Sequence, residues 1–161
     1  MVIILIGVAG SGKTTVGRIL AARLGCEFDD ADDLHPPQNR EKMSRGIALS
    51  DEDRLPWLYA VRDLVRRCLA ENRCAVIACS ALKQSYRDLL VVDAAKVKLV
   101  YLKGSRTLIA ERLVQRAGHF FDRRLMQSQF DTLEEPADAI VVDISESPEN
   151  IADAIRARLG V

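Results

Sequence analysis

"VIILIGVAGSGKTT", Val2 to Thr15, decides the fold. Val2–Gly7 opens as an unbroken apolar run rich in β-branched residues. It has no polar alternation, so it reads as a strand buried on both faces. The run enters Gly7-x-x-x-x-Gly12-Lys13-Thr14, which fits G-x-x-x-x-G-K-[ST]. Glycines at 7, 10 and 12 let the backbone fold into a nest of N–H groups, and Ser11, Lys13, Thr14 and Thr15 extend it. The helix that follows adds its positive end. Lys13 is expected on the β- and γ-phosphates and the Thr14 hydroxyl on Mg²⁺. A chance match in a chain of this length has a probability of roughly half a per cent, and the strand-then-helix setting lowers it further. The motif implies a nucleoside triphosphate and Mg²⁺. It does not identify what receives the phosphate.

Downstream of the loop, Val16, Ile19, Leu20 and Leu24 follow helical spacing, with Gly25 as a stop. "CEFD" (Cys26–Asp29) is a short second strand. Ser50 with Asp53 makes a capping pattern for a long helix with the stripe Leu55, Leu58, Val61, Val65 and Leu69, and Pro56 in its first turn. "CAVIAC" (Cys74–Cys79) and "VKLVYL" (Val97–Leu102) are the third and fourth strands. Ser105 caps a helix carrying Leu108, Ile109, Leu113 and Arg116. "AIVVD" (Ala139–Asp143) is the fifth strand. Ser147–Pro148 opens a last helix with Ile151, Ile155 and Leu159, stopped by Gly160. This alternation predicts one α/β domain over 1–161: a P-loop-type three-layer sandwich with a five-stranded parallel sheet and helices on both faces. Ligands in such sheets sit beyond the carboxyl ends of the strands.

Composition narrows the function classes. Lys plus Arg equals Asp plus Glu, 23 against 23, so no overall field favours nucleic acid or an anionic membrane. The N-terminal apolar run lacks a basic flank and is too short to span a bilayer. The four cysteines (26, 68, 74 and 79) match no zinc or CxxC spacing and read as reduced, mostly buried thiols.

The second strand leads into "DDADDLHP", Asp29 to Pro36. If extended geometry persists through Asp32, alternate residues share a face. Asp30 and Asp32 then point toward the phosphate site, while Asp29 and Asp33 point away. A carboxylate facing that site can hold a metal-bound water or accept a proton from an attacking hydroxyl.

Four longer blocks carry a resemblance: "DDLHPPQNREKMSRGIALSDEDRLPWL" (32–58), "CSALKQSYRDLL" (79–90), "YLKG" (101–104) and "GHFFDRRLMQSQFDTLEEP" (118–136). Together they resemble the gluconokinase family over nearly the whole chain, and differ from the acceptor motifs of shikimate kinase. The resemblance implies transfer of the γ-phosphate of ATP to the 6-hydroxyl of D-gluconate, with Mg²⁺. It also implies that Asp32 takes the acceptor proton and that Asp30 supports Mg²⁺ through water. A cytoplasmic enzyme, a homodimer, and D-gluconate as the small-molecule partner follow from it too. Asp33 departs from the pattern, which has a small apolar or aromatic residue there, so Asp33 is the outward acid.

Other candidates follow from chemistry. Arg54 suits the gluconate carboxylate, because guanidinium binds planar carboxylates in a fork; a surface pair with Asp51 or Asp53 is the competing reading. Trp57 reads as packing. After the third strand, Ser80 is placed to approach substrate, and Lys83 and Arg87 to contact its hydroxyls or carboxylate. For Arg87 a surface ion pair with Asp88 or a nearby acid is the alternative. Cys79 is not needed as a nucleophile. The arginines around "GHFF" suggest a helical lid over approximately 116–132, with Arg116 stabilising transferred charge and Arg112 on the nucleotide. Arg123 and Arg124 read as a solvated, salt-bridged face. The motif match adds His119 and His35 as substrate contacts. The loop "DISESPEN" is a candidate for backbone contacts to adenine. Two alternatives stay open: a P-loop kinase for shikimate, a nucleoside monophosphate or another sugar acid, and a nucleotide-binding switch without turnover.

Overall fold

Val2–Ile6 form β1, the centre of the sheet, with every residue buried. The computed structural model describes residues 1–117 and 123–161. The other strands are β2 (Glu27–Asp30), β3 (Ala75–Ala78), β4 (Val97–Lys103) and β5 (Ile140–Asp143). The helices are α1 (Lys13–Leu24), α2 (Pro37–Ser44), α3 (Asp51–Ala70), α4 (Gln84–Leu90), α5 (Arg106–Ala117), α6 (Arg123–Thr132) and α7 (Pro148–Leu159). The strand order is β2-β3-β1-β4-β5 and every pairing is parallel.

Alternation along β1 builds the two cores. Val2, Ile4 and Ile6 pack with Trp57, Leu58 and Val61 of α3 and with Tyr86 and Leu90 of α4. Ile3 and Leu5 pack with Val16 and Leu20 of α1, Ile109 of α5, and Ile151 and Ile155 of α7. A sheet apolar on both faces needs both covers, and the three layers supply them. Gly17 lets α1 come close: a Cβ there would lie 2.5 Å from the Phe28 ring.

The structure departs from the sequence reading in four places. The capping box of α3 is present, with Ser50 Oγ accepting from Asp53 N at 3.1 Å and the Asp53 carboxylate accepting from Ser50 N at 3.0 Å. Its buried stripe, however, is Trp57, Leu58, Val61, Leu64, Val65 and Cys68. Leu55 lies about 120° around the helix from Val61 and is 40% exposed. Pro56 is the sixth helical residue, past the first turn. Secondly, β2 ends at Asp30, and Ala31–Leu34 form a 3-10 turn. Thirdly, α2 and α4 were not anticipated; Pro36–Pro37 start α2, proline being suited to a first helical position. Fourthly, Cys26 and Cys74 form a disulfide, leaving Cys68 and Cys79 as buried free thiols. Residues 48 apart meet because β2 and β3 are neighbours and Glu27 N bonds to Cys74 O. The bond lies at the amino ends of the strands, opposite the phosphate loop.

Candidate active site

The loop between β1 and α1 has the backbone its glycines predict. Gly10 and Gly12 have φ of 83° and 91°, in the left-handed region. At Gly10 a Cβ would also lie 2.8 Å from Leu113 of α5. The first turn of α1 holds no acidic residue of its own, so the helix does not offset its own positive end. Ser11 turns inward: it is fully buried and, among the described residues, its hydroxyl has no hydrogen-bond partner, so only its backbone faces the cradle. Lys13 Nζ donates to Gly7 O and Val8 O at 2.9 Å each. Burial lowers the Lys13 pKa, and the nearby Asp32 carboxylate works against that shift.

Asp30 closes this end of the site. Its Oδ2 accepts from Thr14 Oγ1 at 2.8 Å, and its Oδ1 accepts from Asp32 N at 3.1 Å. Asp32 is thus aimed by a capped 3-10 turn, and strand parity is not the cause. It remains open to the water of the cleft while protein crowds it from behind. Burial raises its pKa, and Lys13 opposes the rise. Asp33 is exposed, and its carbonyl accepts from Arg40. Asp29 points away from the site and into the protein: it is half-buried, and among the described residues its Oδ2 has no hydrogen-bond partner.

Lys13, Asp32, His35, Arg54, Ser80 and Gln129 converge on one cavity of about 390 Å³. His35 stacks on Trp57, ring centroids 4.3 Å apart, and its Nδ1 meets Asn39 Nδ2 at 3.2 Å. Burial, with Arg40 and Arg54 nearby, holds its pKa down to about 4, so at neutral pH it is an uncharged ring. Trp57 Nε1 donates to Ala31 O at 2.7 Å, tying α3 to the turn that presents Asp32. Arg54 Nη1 donates to Tyr86 Oη at 3.2 Å. Tyr86 Oη in turn donates to Asp51, which also accepts from Lys83 at 2.9 Å. Lys83 is therefore engaged with Asp51 beside the cavity rather than lining it.

The expected substrate contact of Arg87 is not met, nor is an ion pair with Asp88. Arg87 is 1% exposed. Its guanidinium donates to Ala81 O and Leu82 O at 3.0 Å, Gln84 Oε1 at 2.9 Å and Glu134 O at 2.8 Å. Ala81 has φ 33°, rare for a residue with a Cβ. Arg87 clamps that turn from inside and so presents Ser80 to the cavity. The Cys79 thiol is buried and pushed up to about 12, no nucleophile.

Outside the cavity lining, Arg112 Nη2 donates to Ile144 O at 2.5 Å, joining α5 to the loop after β5. Its Nη1 would lie 3.7 Å from a Cβ at Gly12, so it reaches the phosphate loop. Arg116 is exposed, yet near enough to lower the pKa of both Lys13 and Asp32. His119 lies outside the described residues. Sequence reasoning missed Tyr86, Gln129 and Glu134. Gln129 Oε1 accepts from Ala9 N at 2.6 Å. Glu134 accepts from Gln84 N at 2.8 Å and donates from its own N to Leu82 O at 2.8 Å. They stand in the "YRDLL" and "QFDTLEEP" blocks, whose spacing does not say what they touch.

An AAA-domain family model matches residues 2–139. The thermosensitive gluconokinase of Escherichia coli K12 is 44% identical, over 95% of this chain and 84% of that protein. The chain belongs to the gluconokinase family. The crystal structure of a gluconokinase from Sinorhizobium meliloti 1021 superposes with a TM-score of 0.86 at 43% identity, covering 98% of this chain and 91% of that one. Shikimate kinase from Aquifex aeolicus, at 19% identity and a TM-score of 0.64 over 99% of this chain and 96% of that one, shares the fold alone. For Mg²⁺, the donors suit a hard cation: a hydroxyl and a carboxylate, Thr14 and Asp30, meet at the phosphate loop. Among the described residues no three His, Cys, Asp or Glu side chains form a metal cage. That accords with the few protein ligands Mg²⁺ takes beside phosphates and water.

Proposed function

We propose that this kinase transfers the γ-phosphate of ATP to O6 of D-gluconate, giving 6-phosphogluconate and ADP. The observation that carries the reading is the convergence of Lys13, Asp32, Arg54 and Ser80 on one cavity beside the phosphate loop. The phosphate-loop N–H groups and Lys13 hold the triphosphate. Asp32 orients the acceptor and takes its proton. O6 attacks the γ-phosphorus, and the bond to the β,γ-bridging oxygen breaks with its electron pair leaving on ADP. Arg54 receives the gluconate carboxylate, held from behind by Tyr86, while Ser80 and the neutral His35 offer hydrogen bonds to hydroxyls. Arg116 stabilises charge on the transferred group, and Arg112 holds the nucleotide. Mg²⁺, when bound through Thr14 and, by way of water, Asp30, neutralises the phosphate oxygens. Segment 116–132, with His119, closes over the substrates. A cytoplasmic homodimer completes the reading; no described helix is long and apolar enough to cross a membrane.

ADP release measured with gluconate, shikimate and nucleoside monophosphates tests it: only gluconate should stimulate turnover. Asp32→Asn should lower kcat by about 10²-fold or more, and Lys13→Ala should abolish it. Stimulation by another acceptor alone, or wild-type turnover by Asp32→Asn, would overturn the respective assignment.

A further inference from the structure

Gln129 meets the phosphate loop from α6, a helix 120 residues away in sequence. Its partner there is the Ala9 N–H, a group that can only donate. The side-chain amide is therefore forced into one orientation, with oxygen toward Ala9 and nitrogen turned away. Gln129 lines the same cavity as Lys13, Asp32 and Ser80. Among the described residues its Nε2 has no partner. A donor pair of fixed orientation thus stands beside the place where the γ-phosphate meets the acceptor.

The α6 helix is braced to hold it there. Arg106 of α5 donates to Gln127 Oε1 at 2.7 Å and lies over the Phe130 ring at 4.8 Å. Met126, Phe130 and Leu133 pack on the core beneath. Past the helix end, Glu134 bonds the loop after β3 that carries Ser80. A donor that does not reorganise as charge develops is worth more than one that must be ordered during the reaction.

We propose that Gln129 is a catalytic residue: with its oxygen locked on Ala9 N–H, its side-chain N–H donates to an oxygen of the phosphoryl group in flight. The proposal rests on the kinase reading above. In the step, the O6–phosphorus bond forms as the bond from phosphorus to the ADP oxygen breaks. Gln129 stabilises the charge spread over the transferred oxygens and exchanges no proton.

Two substitutions separate this role from simple anchoring of α6. Gln129→Glu keeps an acceptor for Ala9 N–H but removes the donor and sets a negative charge against the phosphoryl oxygens. Gln129→Ala removes both contacts. Catalytic donation predicts that Gln129→Glu is the worse variant, with kcat down about 100-fold against about 10-fold for Gln129→Ala. The unfolding midpoint of Gln129→Glu should match wild type. Anchoring predicts the reverse order, so a Gln129→Glu enzyme no slower than Gln129→Ala overturns the proposal. If Gln129→Glu lowers the unfolding midpoint, Gln129→Met decides instead. A tenfold or greater loss of kcat at unchanged KM for ATP supports donation, and wild-type kcat overturns it. Gluconate-dependent ADP release by wild type is the control: its absence would sink the kinase reading and leave the Gln129 assignment without a reaction to serve.

Discussion

At the scale of single residues, burial and charge set the pH behaviour. His35 has its folded pKa held down to about 4 from an ordinary 6.5. The unfolded chain therefore binds the extra proton first as pH falls. The stability linked to the neutral ring is complete above pH 6.5 and is lost as pH drops from there toward 4. Urea unfolding at pH 7 and pH 5 should differ by about 2 kcal/mol from this group, and His35→Gln should flatten the difference. Asp32 behaves as a shifted acid. If Asp32 takes the acceptor proton as proposed, its raised pKa should place the acid limb of kcat/KM above the ordinary aspartate value. Activity rises as pH climbs through that limb, and Asp32→Asn should remove the limb along with the turnover. Arg87 is a third case: Arg87→Lys keeps the charge but cannot span Ala81, Leu82, Gln84 and Glu134 at once. Chemical denaturation should register a loss of about 2–3 kcal/mol, with turnover falling as the Ser80 turn loosens.

At the scale of elements, contiguity decided what was legible. The phosphate loop could be read completely because its strand, glycines, lysine and helix are consecutive. Helix α2 was missed because "PQNREKMS" carries no apolar stripe and buries only Asn39. The end of β2 was missed because a side chain decides it: Asp30 caps the turn that a strand-parity count assumes away. Arg87 was misjudged because an arginine in sequence looks the same whether its acceptors are a ligand or the chain's own carbonyls. Gln129 and Glu134 were unreadable because their partners lie 120 and 50 residues off. The Cys26–Cys74 bond belongs at this scale too, since it staples β2 to β3. Closing a loop of 48 residues is worth up to about 4 kcal/mol through the unfolded chain. Reductant, or Cys26→Ser with Cys74→Ser, should lower the unfolding midpoint. Neither should change kcat, because the staple is at the sheet edge remote from the cleft.

Across the whole molecule, the sheet divides the labour. Loops after β1, β2 and β3 bring the phosphate cradle, Asp32 and Ser80 to one end, and α5 and α6 wall it. Nucleotide binding should therefore stabilise the fold as a unit. With ADP at 100 times its Kd, the free energy of unfolding should rise by about 2.7 kcal/mol, read as a higher melting midpoint by calorimetry. The gain should vanish in Lys13→Ala if that lysine grips the phosphates. A rise that survives the substitution would mean the backbone cradle alone suffices.

The placement of the cysteines has a practical side. Cys68 and Cys79 are sealed in the core, while Cys26 and Cys74 are half-exposed at the back of the sheet. Mild reduction therefore offers a maleimide dye two neighbouring thiols there and none near the substrates. A fluorophore attached at that rear edge, paired with a second one introduced on α6, would report whether α6 moves over the cleft during turnover without touching the site.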